Sequence, residues 1–280
     1  MKRKVSFFDN NLVKNFWAHL SGLLTIFGGV VLFIDDTLLK ERWIFPVVLI
    51  LVLIVWYVFL WWRASNLKDI DLDIESTTIS IVTGDLFKQD GLKAIPFNEY
   101  FDTQVDDEVI SKASLNGIFI KDILLGEVEK LDSHILSYKF REENILKKNT
   151  TRIVGKNQKY QIGTVCLYED YLLTAFSKFN DKNQAYLTMP EYLAFLIKFW
   201  DEINAVYAQR SVSVPIFGSG ITRIKEHKNI TDEELLKIML WTFRISETRF
   251  KYPAKLNIVI HEDKIDTINL FEIKSMQNGI

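Results

Sequence analysis

Two long apolar segments near the N-terminus constrain this chain more than any other feature of its sequence. The first covers residues 16–34 and the second covers residues 44–62, and neither contains Asp, Glu, Lys or Arg. A helix needs about 20 apolar residues to cross the hydrocarbon core of a bilayer, and both segments have that length. The sequence therefore predicts two membrane-spanning helices, which the short link between them forces into a hairpin.

Aromatic residues and proline support this prediction for the second segment. Pro46 lies in its first turn, where a missing N–H costs little. Trp43, Trp61 and Trp62 lie at its ends, where tryptophan is enriched in membrane helices. A cleaved signal peptide is the alternative for the first segment, but no small-residue cleavage site follows it and the second segment comes soon after.

The distribution of basic residues predicts the orientation of the hairpin. They flank it on both outer sides, at Lys2, Arg3, Lys4 and Lys14 and at Arg63 and Lys68. The link holds Lys40 and Arg42 beside three acidic residues. Because positive charge accumulates on the cytoplasmic side, we expect both termini in the cytoplasm.

The rest of the chain predicts a single soluble domain. We interpret residues 1–63 as the hairpin, 64–76 as a polar linker and 77–280 as one domain large enough for a full core. The net charge of −2 gives no sign of a nucleic-acid partner. The single cysteine, Cys166, excludes an intrachain disulfide, and no His or Cys spacing suggests zinc, so neither metal nor cofactor is predicted.

Strand and helix patterns alternate along this domain. Apolar runs predict strands at 78–85, 92–98, 211–220 and 256–261, and two strands around a turn within 160–179. Residues 106–138 are mostly helical in pattern, capping boxes at Thr188 and Thr231 begin helices that reach about 209 and 249, and a last helix covers about 264–275. The alternation predicts an α/β fold, a three-layer α/β/α sandwich with a mixed sheet.

Two loops at predicted strand ends carry the functional signal. Residues 82–87, followed by 94–103, form the first, and residues 214–223 form the second. In open α/β sheets, ligands bind beyond the carboxyl ends of the strands. Glycines in such a loop let backbone N–H groups approach a phosphate closely, although a Gly-x-Gly sequence alone is more often a simple turn.

Together the two loops resemble those of macro domains, the ADP-ribose-binding family, over about residues 78–262. The matching motifs are Gly84-Asp85-Leu86 at a strand end, Asn98 after the next strand, and the Pro-x-x-Gly-x-Gly loop at 215–220. The resemblance implies that Asp85 meets the adenine amine, that Asn98 lies near the distal ribose, and that the glycine loop wraps the diphosphate.

The resemblance implies a set of ligand-binding residues and no catalytic ones. The set is Asp85, Leu86, Asn98, Phe101, Asp102, Thr103, Pro215, Phe217, Gly218, Ser219, Gly220, Ile221, Thr222 and Arg223. Six of them have a structural alternative: a helix cap for Asp85, Asp102 and Thr103, a turn for Asn98, the core for Phe101 and a solvated loop for Arg223. We interpret the acidic run at 106–108 as a solvated helix start.

A narrower resemblance rests on IPFNEYFDTQVDDEVI at 95–110 and SLNGIFI at 114–120, together with the two-helix anchor. This combination is similar to the macro-domain membrane effectors of Thoeris anti-phage systems. The resemblance implies a bacterial inner-membrane protein. A partner TIR-domain enzyme would supply its ligand, histidine-ADP-ribose, and ligand binding would lead to oligomerisation, membrane disruption and abortive infection.

One departure from common macro domains bears on enzymatic activity. The family usually has a glycine-rich loop after the Asn, which supports ADP-ribosyl hydrolysis, whereas residues 98–111 contain no glycine. We therefore expect a binding protein. A membrane-anchored ADP-ribosyl hydrolase or related nucleotide-processing enzyme is the alternative, and a passive anchor is a third.

Ser21, Thr25 and Gly29 form a small-residue face that suits helix packing within the hairpin or in an oligomer.

Overall fold

The computed structural model describes residues 4–32, 44–180, 183–225, 227, 229–246, 250 and 253–276. The chain divides into two compact units. The first, here the helical unit, combines Met1–Lys68 with Asp266–Asn278. The second, here the sheet unit, begins at Asp69 and ends at Ile265.

Helices and strands alternate in the described part of the chain. The α-helices are α1 (Asn10–Leu32), α2 (Ile44–Ser65), α3 (Leu115–Ile118), α4 (Val128–Ser137), α5 (Met189–Val206), α6 (Asp232–Ile245) and α7 (Leu270–Ser275). The strands are β1 (Ile70–Ile74), β2 (Thr77–Thr83), β3 (Leu92–Asn98), β4 (Val165–Tyr168), β5 (Tyr171–Phe179), β6 (Ala185–Leu187), β7 (Val212–Pro215), β8 (Arg223–Ile224) and β9 (Leu256–Ile260).

The two N-terminal apolar segments are helical where they are described. Helix α1 begins at Asn10, earlier than predicted, because Asp9 Oδ1 accepts the backbone N–H groups of Asn11 and Leu12 at 2.9 and 3.1 Å. Among the described residues, α2 is the helix whose length and composition suit a membrane span. The predicted link at 35–43 lies outside the described residues, as does the end of the first predicted span.

The helical unit has a small core to which the C-terminus contributes. Val5, Leu12, Leu60 and Ala64 are buried, and Phe271 of α7 packs against them. In the same unit, Lys4 pairs with Asp266 at 3.3 Å and the Asn11 amide donates to Ser275 Oγ at 2.9 Å. The predicted domain at 77–280 placed these residues with the sheet, whereas Asp266–Asn278 group with the helical unit.

The predicted linker at 64–76 is also wrong for residues 70–74, which form β1. Ile70, Leu72 and Ile74 are buried, whereas the two aspartates between them are exposed. This alternation suits an edge strand with one face on the core. The strand pairs antiparallel with β2 through a turn in which Glu75 and Ser76 have φ of 49° and 65°.

The sheet is mixed, as predicted, with the order β1-β2-β9-β7-β3-β5-β6-β8 and with β4 paired to β5. Strands β2, β9, β7, β3 and β5 run parallel to one another. The pairings of β1 with β2, of β4 with β5 and of β5 with β6 are antiparallel. The carboxyl ends of the five parallel strands therefore meet at one edge of the sheet, where the two functional loops emerge.

Helices cover both faces of the sheet and complete the predicted three layers. On one face, Phe97 of β3 packs against Phe119, which follows α3, at 6.3 Å between ring centroids. On the other, Phe176 of β5 contacts Phe195 of α5 at 4.8 Å. Helix α6 packs on α5, where the Trp200 indole N–H donates to Thr242 Oγ1 at 3.2 Å.

Both predicted capping boxes are present and set the start of their helices. In α5, Thr188 Oγ1 accepts from Glu191 N while the Glu191 carboxylate accepts from Thr188 N at 2.7 Å. Thr231 and Glu234 repeat this arrangement at the start of α6. Helices α5 and α6 end at Val206 and Ile245, a few residues earlier than predicted.

The helix predicted from 106 begins only at Leu115. Asp106 Oδ1 accepts the N–H groups of Glu108 and Val109 at 2.9 and 2.7 Å, and Asp107 has φ of 68° and pairs with Lys112 at 2.8 Å. The acidic residues at 106–108 therefore belong to a loop, which Asp106 and Asp107 stabilise, and they do not begin a helix. The last predicted helix is likewise divided into a 3-10 turn at Glu262–Thr267 followed by α7.

Candidate functional site

A cleft of about 1110 Å³ lies at the carboxyl ends of the parallel strands of the sheet unit. Its base is formed by the ends of β3, β7 and β9. Its walls come from the loops after these strands and from two further segments, one at residues 107–118 and one at residues 179–180 and 183–186. Such a position is where α/β sheets place their ligands. Both loops singled out in the sequence contribute to it.

The first predicted loop enters the cleft at Asp85. Gly84 N continues the sheet by donating to Ile260 O at 2.9 Å, and Asp85 Oδ1 accepts from Phe87 N at 2.9 Å. Asp85 thus caps a 3-10 turn at Leu86–Lys88, yet its side chain is 44% exposed and its Oδ2 lies 4.0 Å from Lys88 Nζ. The cap uses one carboxylate oxygen, so capping and ligand binding are compatible at this residue.

The glycine loop from Pro215 to Thr222 lines the cleft throughout. Gly218 has φ of 87°, a conformation that favours glycine, and Ser219 N donates to Ile216 O at 3.2 Å. Gly220 has open space where a Cβ would be. The backbone of this loop is therefore tightly turned but accessible, as a diphosphate-binding loop requires.

The glycine loop is held in place from two sides. Phe217 is buried between Phe195 and Phe199 of α5, with ring centroids 4.9 Å from each, and its carbonyl accepts the Tyr192 hydroxyl at 2.8 Å. On the other side, Lys264 Nζ donates to the Ser219 carbonyl and to Asp232 Oδ2 of α6. The loop geometry thus depends on side chains from three other elements.

Asn98 lies at the end of β3, on the cleft, and is almost fully buried. Its Oδ1 accepts the N–H groups of Tyr100 and Asp102 at 3.0 and 3.3 Å. Its Nδ2 donates to Asp102 Oδ2 at 2.8 Å. Asn98 therefore organises a turn, which was the structural alternative for this residue. It also borders the cleft.

The structure places the next three candidates behind the cleft, which corrects the position expected from the sequence. Phe101 is buried against Phe140 and Tyr160, with ring centroids 5.9 and 5.2 Å away. Asp102 is buried, and Thr103 Oγ1 donates to Asp132 at 2.8 Å. The turn around Asn98, in which Phe101 has φ of 50°, directs these side chains inward.

The remaining predicted site residues are Leu86, the glycine loop and Arg223. Leu86 and residues 215–222 line the cleft. The backbone of Arg223 lies in β8, and its side chain lies outside the described residues.

Comparisons with known proteins identify the family. The profile of the macro domain of Thoeris protein ThsA matches residues 79–261. The chain is also 37% identical to the Thoeris protein ThsA of Bacillus amyloliquefaciens (strain Y2) over 277 residues, which cover 94% of this chain and 90% of that protein. The chain belongs to the Thoeris ThsA macro-domain family. The resemblance inferred from the sequence is confirmed.

Solved macrodomain structures are more distant from this ThsA-family chain. A mutant of the Oceanobacillus iheyensis macrodomain has a TM-score of 0.46 and 13% identity, and covers 76% of this chain and 100% of its own. The same macrodomain with ADP has a TM-score of 0.43 and 13% identity, covering 76% and 98%. The macro fold of this chain therefore rests on the family profile and on the sheet described above.

Sequence reasoning missed one wall of the ThsA-family cleft, formed by residues 107–118. Ser114 caps α3 by accepting Gly117 N at 3.1 Å, and a Cβ at Gly117 would lie 2.2 Å from Ser111 O. Glycine at position 117 is thus required by the close approach of the loop. The Ser-x-x-Gly spacing was a usable signal for this cap, but a helical pattern across the whole segment obscured it.

The second wall, residues 179–180 and 183–186, was missed as well. It includes Asn183 and Tyr186, and Lys225 Nζ lies 3.9 Å from the centroid of the Tyr186 ring. Lys264 also borders the cleft and was read only as part of a terminal helix. These positions are assembled by the fold from distant parts of the sequence, so no local pattern indicated them.

Two titratable groups of the sheet unit that do not line the cleft have a pKa raised by burial. Burial raises the pKa of the Cys166 thiol to about 12, which makes it a poor nucleophile at neutral pH. Burial also raises the pKa of Glu99, with Lys159 at 3.1 Å opposing this effect. Within the described residues, no group of three or more His, Cys, Asp or Glu side chains is arranged to hold a metal ion.

Proposed function

We propose that this chain is a signalling effector whose cleft binds an ADP-ribose-derived messenger and whose N-terminal helices produce the response. Membership of the Thoeris ThsA family supports a role in anti-phage defence and an ADP-ribose-type ligand. The observation that carries the proposal is the meeting of Asp85 and the glycine loop on a single cleft. In this proposal Asp85 presents its carboxylate to the adenine amine, and the glycine loop presents its backbone to the diphosphate.

In the proposed complex the diphosphate contacts the backbone N–H groups of residues 217–222. Backbone amides in a tight glycine turn attract anions without the desolvation cost of a buried cation. The adenine amine donates to the Asp85 carboxylate, and the distal ribose lies towards Asn98. The exposed backbone at Gly220 and the half-exposed Asp85 support these placements.

The proposed ligand is histidine-ADP-ribose, made from NAD by a partner TIR-domain enzyme. Ligand pockets commonly have volumes of about 300–1,000 Å³. At about 1110 Å³, the cleft has room for ADP-ribose and a further group on the distal ribose. The two walls, at residues 107–118 and at residues 179–180 and 183–186, are the candidates to enclose that group.

We propose binding without turnover. The glycine-rich loop that supports hydrolysis in common macro domains is replaced here by residues 98–111. Asn98 turns that stretch into the core, and the capped loop at Asp106 follows. These contacts support a rigid wall in place of a loop that positions water.

The proposed output is assembly of the helices in the bacterial inner membrane, with both termini cytoplasmic, followed by membrane disruption. A ligand shifts a protein towards an assembly only if it binds that assembly more tightly than the resting form. The small-residue face at Ser21, Thr25 and Gly29 is the proposed contact surface. Thr25 Oγ1 donates to Ser21 O at 2.9 Å within α1, and a Cβ at Gly29 would meet open space, so the face allows close approach.

Calorimetry on the full chain in detergent, combined with a chromatographic product assay, tests the proposal. We expect histidine-ADP-ribose to bind more tightly than ADP-ribose, with no product after prolonged incubation. Asp85→Ala should weaken both, whereas Asp90→Ala, an exposed aspartate away from the cleft lining, should change neither. Release of a product would favour the hydrolase alternative, and absence of binding would contradict the proposed ligand class.

A further inference from the structure

A buried ion pair lies directly behind the cleft in the sheet unit. Asp102 and Arg152 have side chains that are 1% and 8% exposed. The guanidinium binds the carboxylate with two hydrogen bonds, Nη1 to Oδ1 at 3.1 Å and Nη2 to Oδ2 at 2.6 Å. Removing one partner of such a pair leaves an uncompensated buried charge, so the two residues depend strongly on each other.

Arg152 extends this pair to the wall of the cleft. Its Nη2 also donates to Asn183 Oδ1 at 3.2 Å, and its Nη1 donates to Lys156 O at 2.7 Å. The plane of the guanidinium lies over Tyr100, with Cζ 4.0 Å from the ring centroid. Asn183 lines the cleft. One arginine thus contacts Asp102, in the turn that Asn98 organises, and Asn183, in the second wall of the cleft.

The hydrogen bonds of Asn98 determine what its amide offers to a ligand. A side-chain amide has two acceptor sites and two donor hydrogens. Asn98 Oδ1 uses both acceptor sites on backbone N–H groups, and Nδ2 gives one hydrogen to Asp102. The capacity left for the cleft is one N–H donor. The Asp102 carboxylate fixes this orientation because it only accepts.

The segment around Gly155 is shaped to hold the same carboxylate. Lys156 N donates to Asp102 Oδ1 at 2.7 Å. Gly155 has φ of 91°, and a Cβ there would lie 2.8 Å from Arg152 Nη2 and from Asp102 Oδ1. Any side chain at position 155 would therefore displace the ion pair, which gives a second way to perturb it without removing a charge.

We propose that Arg152 is a positioning residue for the distal end of the ligand, acting through Asp102 on Asn98 and directly on Asn183. It keeps an Asn98 N–H donor and the Asn183 amide on the cleft, a pair suited to an acceptor-bearing polar group such as a ribose with its substituent. This inference rests on the proposed function and assigns a role to a residue that borders neither the adenine nor the diphosphate contacts.

The test compares ADP-ribose with ADP, which lacks the distal ribose, by calorimetry on the full chain. Arg152→Lys keeps the charge but loses the two-pronged contact. We expect it to weaken ADP-ribose binding about tenfold while ADP binding stays within about twofold. Arg210→Lys is the matched control, because Arg210 pairs with Asp170 at 2.5 Å on the surface, and it should change neither affinity.

Two further variants keep the test decisive if Arg152→Lys folds poorly. Asn183→Ala removes the wall partner of Arg152 without touching the buried pair, and Gly155→Ala displaces the pair. Both should reduce the preference for ADP-ribose over ADP. An equal loss for both ligands, or an unchanged preference in Asn183→Ala and Gly155→Ala, would overturn the positioning role. Wild-type protein that binds neither ligand would overturn the proposed function, and the inference with it.

Discussion

The two units of this chain differ in the side chains that they bury. The sheet unit buries and pairs charged side chains, as Asp102 with Arg152, and has an extensive apolar core. The helical unit exposes large apolar side chains such as Val55 and Trp62 and has only a small core around Leu12 and Leu60. The length and composition of α2 suit a membrane span, and its exposed apolar side chains agree with that.

The largest difference in the free energy of unfolding is expected between the variants Phe217→Ala and Phe59→Ala. Phe217 is buried under the glycine loop, so its loss should lower the free energy of unfolding of the sheet unit by about 3–5 kcal/mol. Phe59 is exposed on α2, and its loss should leave that free energy nearly unchanged. Denaturant titration of both variants measures this. Similar losses for the two would break the distinction between the units.

Asp85→Ala should affect binding with little effect on folding. Losing a hydrogen bond to a charged acceptor should weaken messenger binding by about 1.5–3 kcal/mol. The cap of the 3-10 turn is lost as well, so the melting temperature must be measured beside the affinity. Unchanged affinity in calorimetry would show that the adenine is placed elsewhere.

Acid should destabilise the sheet unit through Glu191. Burial alone would raise the pKa of this carboxyl, but hydrogen bonds from Lys178 and Thr188 outweigh it and lower the pKa to about 2. A depressed pKa stabilises the folded state above the unfolded value of about 4.3, and that contribution is lost as the pH falls towards 2. Because the side chain is partly solvated, we expect about 1 kcal/mol.

Glu191→Gln should flatten this part of the pH dependence, as measured by thermal unfolding between pH 5 and pH 2. Glu233→Gln is a suitable control, since Glu233 pairs with Lys237 within α6 at 2.8 Å. An acid slope that is identical in Glu191→Gln and wild type would exclude Glu191 as its source.

The smallest expected effect on the sheet unit comes from the small-residue face of α1. Changing Ser21, Thr25 and Gly29 to leucine should leave messenger affinity within about twofold, because these residues belong to the other unit. The same variant should lose the toxic response in infected cells if this face mediates assembly. Normal killing with normal binding would reduce the helices to a tether.

Structural features that depend on residues close together in the sequence were predictable. The capping boxes at Thr188 and Thr231, the strand at 92–98 and the glycine turn at Gly218 all follow from local chemistry, and the structure has each of them. Strand β1 was missed because its acidic residues resembled a polar linker, although the alternation at 70–74 was visible.

Features that join distant parts of the chain were not predictable. Arg152 finds Asp102 fifty positions away in the sequence, and Lys264 reaches Ser219 across a similar separation. Nothing near either residue indicates its partner. The inward direction of Phe101 likewise depends on the Asn98 turn, whose hydrogen bonds form only once β3 is in the sheet.

The return of the chain to the helical unit after Ile265 makes the sheet unit an insertion, fastened at both ends between α2 and α7. The second fastening is short. Lys264, which grips the glycine loop, is separated only by Ile265 from Asp266, which pairs with Lys4. The residues that contact the glycine loop and the helical unit are therefore only two positions apart in the sequence.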